Sequence, residues 1–291
     1  MSPLIETALA EGVVQLSLAF FTTATPGGIV ACLIVACYVL AHSADDERCV
    51  YLRRFLVIPL AAVILGLIAS TNHLGRPSNT LYVLMGVGRS PLSNEVAAVV
   101  AFTGLMWIAW LLSFAKVRFR KAVKVLLGLS VLMGIWSLSR IAGAYSIDTV
   151  VTWNLPYTAA NLVLASLVSG PGLALVAFRA AGIRHRRLYG AALGASAVFS
   201  LALAVLEFLQ YGALQDLQSG LYGASELVPF YPACIIASTV LIGSGILVGA
   251  LPLLQKRQAG VGFLVAGSVL VFGGVFIVRF VFYCMRLTAG L

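Results

Sequence analysis

Eight stretches of this chain are long and apolar enough to cross a bilayer, and no other feature of the sequence restricts the fold so strongly. A helix needs about 20 apolar residues to cross the hydrocarbon core. The stretches run over about 14–40, 55–72, 94–115, 122–144, 157–178, 188–211, 230–251 and 261–284. Backbone groups in lipid must satisfy one another, so runs of this length are expected as helices. The predicted fold class is all-α: a polytopic membrane protein of eight transmembrane helices, forming a single integral membrane domain over residues 1–291. No internal repeat or linker is evident. Only 10% of the residues are charged, against about 25% in ordinary globular domains, which is too few to cover a water-exposed surface. The first run follows Glu6 and Glu11 with no basic residue before it, and is too long for the apolar region of a secretory leader, so no leader is expected. Pro26-Gly27-Gly28 is expected to kink it.

The net charge of +9 would suggest nucleic acid in a soluble protein. Here no nucleic acid is expected, because the basic residues sit in short loops between apolar runs, where they report topology. Of the 19 Lys and Arg residues, fourteen fall at the loops after spans one, three, five and seven, including Arg53, Lys121, Arg184 and Lys256. The other five are Arg76, Arg89, Arg140, Arg279 and Arg286. Positive-inside then predicts both termini outside, with the 73–95, 145–156 and 212–229 loops on the outer face. These loops are long, as a docking surface for a partner would be.

The five cysteines, Cys32, Cys37, Cys49, Cys234 and Cys284, form no C-x-x-C pair, which disfavours an iron–sulfur or zinc site. Of the three histidines, His42 and His185 lie among charged loop residues, so no buried bis-imidazole haem is expected either. The predicted metal set is empty.

Ionisable residues within spans are costly and mark candidate functional sites. Under the predicted topology Glu95, Arg140, Glu207 and Arg279 all lie toward the outer face, with His73 at the outer end of span two. Taken singly, each has a plain structural reading, snorkelling for the arginines and an ion pair for Glu207. Taken together they suggest a polar pocket open to the outer leaflet. Gly75, Pro77, Gly86, Gly88 and Pro91 give the 73–95 loop a turn-rich path. Such a pocket suits a quinol, whose oxidation needs a base near each hydroxyl. An imidazole accepts a proton near neutral pH, a carboxylate can pass it on, and a guanidinium stabilises developing negative charge.

Five motifs carry a family resemblance: HLGRP at 73–77, GRSPLSNE at 88–95, YSIDTVVTW at 145–153, ELVPFY at 226–231 and VRFVFY at 278–283. Together they make the chain, over essentially its whole length, similar to the DmsC-type membrane anchor of dimethyl sulfoxide reductase and related molybdoenzymes. The resemblance implies a haem-free anchor in the cytoplasmic (inner) membrane of a prokaryote, oxidising menaquinol at the outer face in anaerobic respiration. It further implies two partners beside the membrane lipid: a four-cluster iron–sulfur subunit and a molybdopterin catalytic subunit. The family's functional pair corresponds to His73 and Glu95, with Gly75, Arg76, Ser93, Asn94 and Arg279 as quinol-binding candidates. Arg140, Asp148, Glu207 and Tyr283 are candidates for the pocket or a proton path. The chain departs from the family pattern at Val151, where TVPTW has proline, and at Glu207, which is not a family residue.

Three other readings share these features. A quinone-interacting anchor of the NrfD/PsrC type would have the same eight spans. A secondary transporter would place paired charges on broken helices at the midplane, and none is evident. A purely structural anchor would differ only in needing no residues of the 73–95 loop.

Overall fold

Each apolar run forms a helix whose ends follow from local chemistry. The computed structural model describes residues 3–43, 46–72, 77–115, 119–219, 222–255 and 260–286. Among them, eight helical segments are long and apolar enough to span a membrane. They are α2 (Leu16–Ala41), the continuous segment Glu47–Thr71, α5 (Pro91–Leu112), α6 (Arg120–Ala144), α7 (Thr158–Ala180), α8 (Arg186–Gln215), α10 (Tyr231–Leu254) and α11 (Val261–Cys284). The second span combines α3 (Glu47–Leu52), a 3₁₀ turn (Arg53–Leu56) and α4 (Val57–Thr71).

The caps are of familiar kinds. The Asp46 carboxylate accepts from the Arg48 amide at 2.9 Å and starts α3. Pro91 opens α5, where its missing N–H costs nothing. Gly182, at φ +78°, ends α7 with the Ile183 amide donating back to the Phe178 carbonyl at 2.9 Å, the wrap of a Schellman motif. At the end of α2, Lys124 Nζ donates to the carbonyls of Leu40 and His42, so a lysine near the start of α6 closes a helix terminus.

Packing is organised around α2 and α7, the two most buried spans at 67% and 72%. In the first half α2 packs on α4, α4 on α5, α5 on α6 and α6 back on α2. In the second half α7 packs on α8, α8 on α10, α10 on α11 and α11 back on α7. The chain therefore closes two up-and-down rings of four helices, joined mainly where α2 meets α7 and α11. Both central helices carry a proline beside glycines, Pro26-Gly27-Gly28 and Gly170-Pro171-Gly172. A Cβ on Gly170 would meet the Val30 side chain at 2.5 Å, and one on Gly28 would meet the Pro59 carbonyl at 2.9 Å. Small residues here allow the close backbone approach that holds helices together in lipid. This repetition lies in ring order and in the placement of small residues, which hydropathy alone does not register.

Three differences from the sequence expectations stand out. A further helix, α1 (Pro3–Val14), precedes the first span and is separated from it at Gln15. The turn-rich path expected for the 73–95 loop gives way over Pro77–Gly86 to a 3₁₀ helix. The third outer loop is largely structured: α8 runs on to Gln215, a two-residue pair β1 (Gln218–Ser219) and β2 (Tyr222–Gly223) follows, then α9 (Ala224–Leu227).

Both terminal segments lie on one face of the bundle. They meet there directly, with Arg286 Nη1 3.2 Å from Glu11 Oε2 and α1 packed on α11.

Candidate functional site

Because the spans alternate in direction, α2, α5, α7 and α10 begin at the face that carries the termini, and α4, α6, α8 and α11 end there. Glu95 is five residues into α5 and Arg279 five residues before the end of α11. At about 1.5 Å per residue each lies roughly 7–8 Å inside the helix end. They come from different halves of the molecule, and Glu95 lies within electrostatic reach of Arg279.

Arg279 is only 3% exposed, and its surroundings explain how a cation is tolerated there. Nε donates to Thr22 Oγ1 at 3.3 Å. The guanidinium lies 4.5 Å from the Phe282 ring centroid and 5.8 Å from that of Tyr145, two cation–π contacts in a desolvated setting. Thr22 is itself held by donating to the Leu18 carbonyl at 2.9 Å. Pro26, four residues on, has no N–H to offer the Thr22 carbonyl, so α2 is locally rich in acceptors. Tyr283 reaches the Leu18 carbonyl and Thr22 Oγ1, each at 3.5 Å, and is hydrogen-bonded to Tyr145.

Glu95 is 2% exposed. Its carboxylate interacts electrostatically with Arg279, Tyr145 and Tyr283. Two polar atoms of this cluster, Glu95 Oε1 and Arg279 Nη2, are buried and have no hydrogen-bond partner among the described residues. Buried polar atoms are nearly always satisfied, so a pair left open in one cluster calls for an explanation.

Glu207, in α8, is 5% exposed and accepts a hydrogen bond from the Tyr231 hydroxyl of α10. It too interacts with Arg279. The cluster therefore holds Glu95, Glu207, Arg279 and Tyr283 of the sequence-predicted residues. Arg140 and Asp148 do not join it. Arg140 is exposed on the outside of α6, and Asp148 is exposed and accepts from Asn154 Nδ2 at 2.6 Å. Ser93 is buried against Gly86, and Asn94 Oδ1 accepts from the Gly88 amide at 2.7 Å. Both therefore fasten the loop to α5. Gly88 adopts φ +85°, which favours glycine there. His73, Gly75 and Arg76 lie outside the described residues. Among the described residues no group of three or more His, Cys, Asp or Glu could hold a metal ion.

Sequence reasoning missed Thr22, Tyr145, Phe282 and Tyr231. A usable signal existed for two of them: Thr22-Thr23 four residues before a proline in an apolar span, and an aromatic run, Phe280, Phe282 and Tyr283, flanking an intramembrane arginine.

Beside the cluster, between α2, α4, α7 and α11, is an apolar cavity of about 600 Å³. Its walls include Phe20, Thr23 and Ala24 of α2 and Phe272, Gly273 and Phe276 of α11. Thr23 adjoins Thr22 and Phe276 lies one turn before Arg279, so the cavity begins next to the polar cluster.

The family described as DMSO reductase anchor subunit (DmsC) matches residues 9–285. The YnfH subunit of an anaerobic dimethyl sulfoxide reductase from Escherichia coli (strain K12) is 32% identical, over 90% of this sequence and 92% of its own. The C subunit of the anaerobic dimethyl sulfoxide reductase of the same organism is 32% identical over 78% of this sequence and 79% of its own length. The corresponding C subunit of Haemophilus influenzae is 26% identical over 96% and 98%. Eight spans and near end-to-end similarity agree: the protein belongs to the DMSO reductase anchor subunit family, as a multi-pass membrane anchor whose partners are the catalytic and electron-transfer subunits of a reductase.

Proposed function

We propose that this anchor oxidises menaquinol at the face carrying both termini, which is the outer face of a prokaryotic cytoplasmic membrane. The electrons pass to an iron–sulfur subunit with four clusters and on to a molybdopterin subunit. The observation that carries the reading is the pair of unsatisfied atoms, Glu95 Oε1 and Arg279 Nη2, in one buried cluster. A quinol hydroxyl both donates and accepts, so it can give its proton toward the carboxylate while accepting from the guanidinium. The apolar cavity beside Thr22 suits a prenyl tail. The donor set thus fits a quinol, which supplies two electrons and two protons when bound.

The protein's own part is positional and protonic. Arg279, fixed by Thr22 and by the Phe282 face, holds the ligand oxygen and stabilises negative charge on it as the proton leaves. Glu95 receives that proton, and burial keeps bulk water from competing for the hydrogen bond. His73, which the resemblance makes the second functional residue, follows the end of α4 in the chain and would take part as a base from that side.

The test is turnover of the reconstituted reductase. Glu95→Gln keeps size and hydrogen bonding but removes the base, so quinol-dependent reduction should fall about 10²–10⁴-fold. Reduction driven by an artificial soluble donor should persist, since those electrons enter downstream. His73→Ala should behave in the same way. Near-normal quinol oxidation in both variants, with the complex assembled, would remove the site from this cluster.

A further inference from the structure

Arginines beside membrane spans normally stand in water, as Arg48 and Arg187 do here. Arg53 does not. It is 2% exposed and opens the 3₁₀ turn Arg53–Leu56 near the start of the second span. With Arg54, and with Arg120 at the start of α6, it lines a cavity of about 180 Å³ at the bundle face opposite the termini. Ser113, just past the end of α5, and the apolar side chains of Val50 and Leu112 form other walls. Among the described residues that lining holds three guanidiniums and no carboxylate.

Aromatic side chains fix the depth of this cavity. Trp110 Nε1 donates to the Arg54 carbonyl at 2.8 Å, tying the end of α5 to the 3₁₀ turn. The Arg54 guanidinium lies 5.5 Å from the Phe114 ring centroid and 5.9 Å from that of Tyr51, and Trp110 packs edge-on to Phe114. Trp and Tyr gather where hydrocarbon meets headgroups, so the cavity lies in the layer that phospholipid phosphates occupy. A guanidinium presents a planar fork that matches two phosphate oxygens. Burial strips water from the Arg53 fork and holds it in place for an anion. Basic pockets between spans are sites where lipid headgroups bind.

We propose that this cavity binds the phosphate of an anionic glycerophospholipid from the leaflet opposite the termini. Arg53 and Arg120 grip the phosphate, Arg54 closes over it from the aromatic side, and the glycerol carbons rest on Val50 and Leu112. A zwitterionic headgroup would bring an ammonium against the same three guanidiniums and is disfavoured. One such lipid touches the second span, α5 and α6 together, which makes it a clasp on the first ring of helices. The proposal is independent of the quinol reading, since the cavity lies at the other face of the bundle.

Native mass spectrometry of the full-length protein, delipidated in detergent and titrated with phosphatidylglycerol, reads the site directly. One lipid should bind ahead of all others, about 10-fold tighter than phosphatidylethanolamine with the same chains. Inorganic phosphate at equal concentration should not displace it. Arg54→Gln and Arg120→Gln should each weaken this first binding about 10-fold, the scale of one charge-assisted hydrogen bond. Arg187→Gln removes the same charge at the same face in the second ring and should change it by less than about twofold. Arg53→Lys keeps the charge but loses the fork, so it too should weaken binding. Arg53 is buried, so circular dichroism checks helicity in that variant, and the two more accessible arginines decide the question. The proposal is overturned by equal affinity for the two lipids, by displacement with inorganic phosphate, by undiminished binding in both Arg54→Gln and Arg120→Gln, or by an equal loss in Arg187→Gln.

Discussion

Trp153 donates from its indole Nε1 to the Phe282 carbonyl at 3.0 Å, across 129 positions of sequence, and its ring stacks on Phe282 with centroids 5.1 Å apart. The last carbonyls of a helix have no internal donor, so the indole closes the end of α11. The same contact fixes the ring on which the Arg279 guanidinium rests. The TVVTW stretch of the 145–156 loop is thus a back wall for the site, with Tyr145 and Tyr283 packed edge-on to the same aromatic group.

Removing only the indole N–H tests this. Trp153→Phe retains an aromatic ring against Phe282 but leaves a helix-end carbonyl unpaired. A net loss of about 0.5–1.5 kcal/mol is expected for one such hydrogen bond. Thermal unfolding of the detergent-solubilised protein should show a lower midpoint for Trp153→Phe and a much lower one for Trp153→Ala, which also opens a cavity. An unchanged midpoint for both would show the contact to be incidental.

The second prediction compares two glycines of one helix. A Cβ on Gly245 would lie 2.6 Å from the Gly267 carbonyl, which is backbone and cannot step aside. A Cβ on Gly243 would meet nothing within 4 Å. Gly245→Ala should therefore force α10 and α11 apart and cost about 1–3 kcal/mol, the usual penalty for overpacking. Gly243→Ala should be neutral or slightly stabilising, since alanine is the better helix former. Equal midpoints in the two variants would contradict the close α10–α11 approach.

The spans were legible because length and apolarity leave no alternative in lipid, and all eight are found within a few residues of their expected limits except at Glu47, where a charged helical turn extends span two. The cluster was half legible. Glu95, Glu207 and Arg279 announce themselves because charge inside an apolar run is unusual. Arg140 announces itself equally and yet faces outward, because its place on the circumference of α6 depends on which side of that helix the neighbours occupy. Thr22 and Tyr145 were silent for the opposite reason. Both are ordinary at helix ends and within apolar spans, and only the packing of α2 and α6 beside α11 makes them partners of a guanidinium.

A third prediction concerns orientation. The fourteen basic residues at the loops after spans one, three, five and seven argue for that side being cytoplasmic. A reporter active only outside the cytoplasm should work when fused after Leu291 or inserted within 212–229, and should be inactive within 116–124. Activity of the 116–124 fusion would invert the protein and move the polar cluster to the cytoplasmic leaflet.

The last prediction separates the shape of Arg279 from its charge. Arg279→Gln removes a buried cation held by Thr22 and two aromatic rings, so it confounds function with folding. Arg279→Lys keeps one positive charge near Glu95 and Glu207. It loses the planar fork that lets one guanidinium bond Thr22, lie over Phe282 and still present Nη2 to a ligand. The variant should assemble with its partners and accept electrons from a soluble donor at the normal rate. Its KM for quinol should rise about 10–100-fold, the equivalent of one charge-assisted hydrogen bond of about 1.5–3 kcal/mol. The effect on kcat should be smaller, because Glu95 is still present as the base. Steady-state oxidation of a short-tailed quinol by the reconstituted complex separates the two constants. A KM within twofold of the parent protein would mean that charge alone suffices at this position. Nη2 would then have no ligand to hold, and the open pair of atoms would need another occupant.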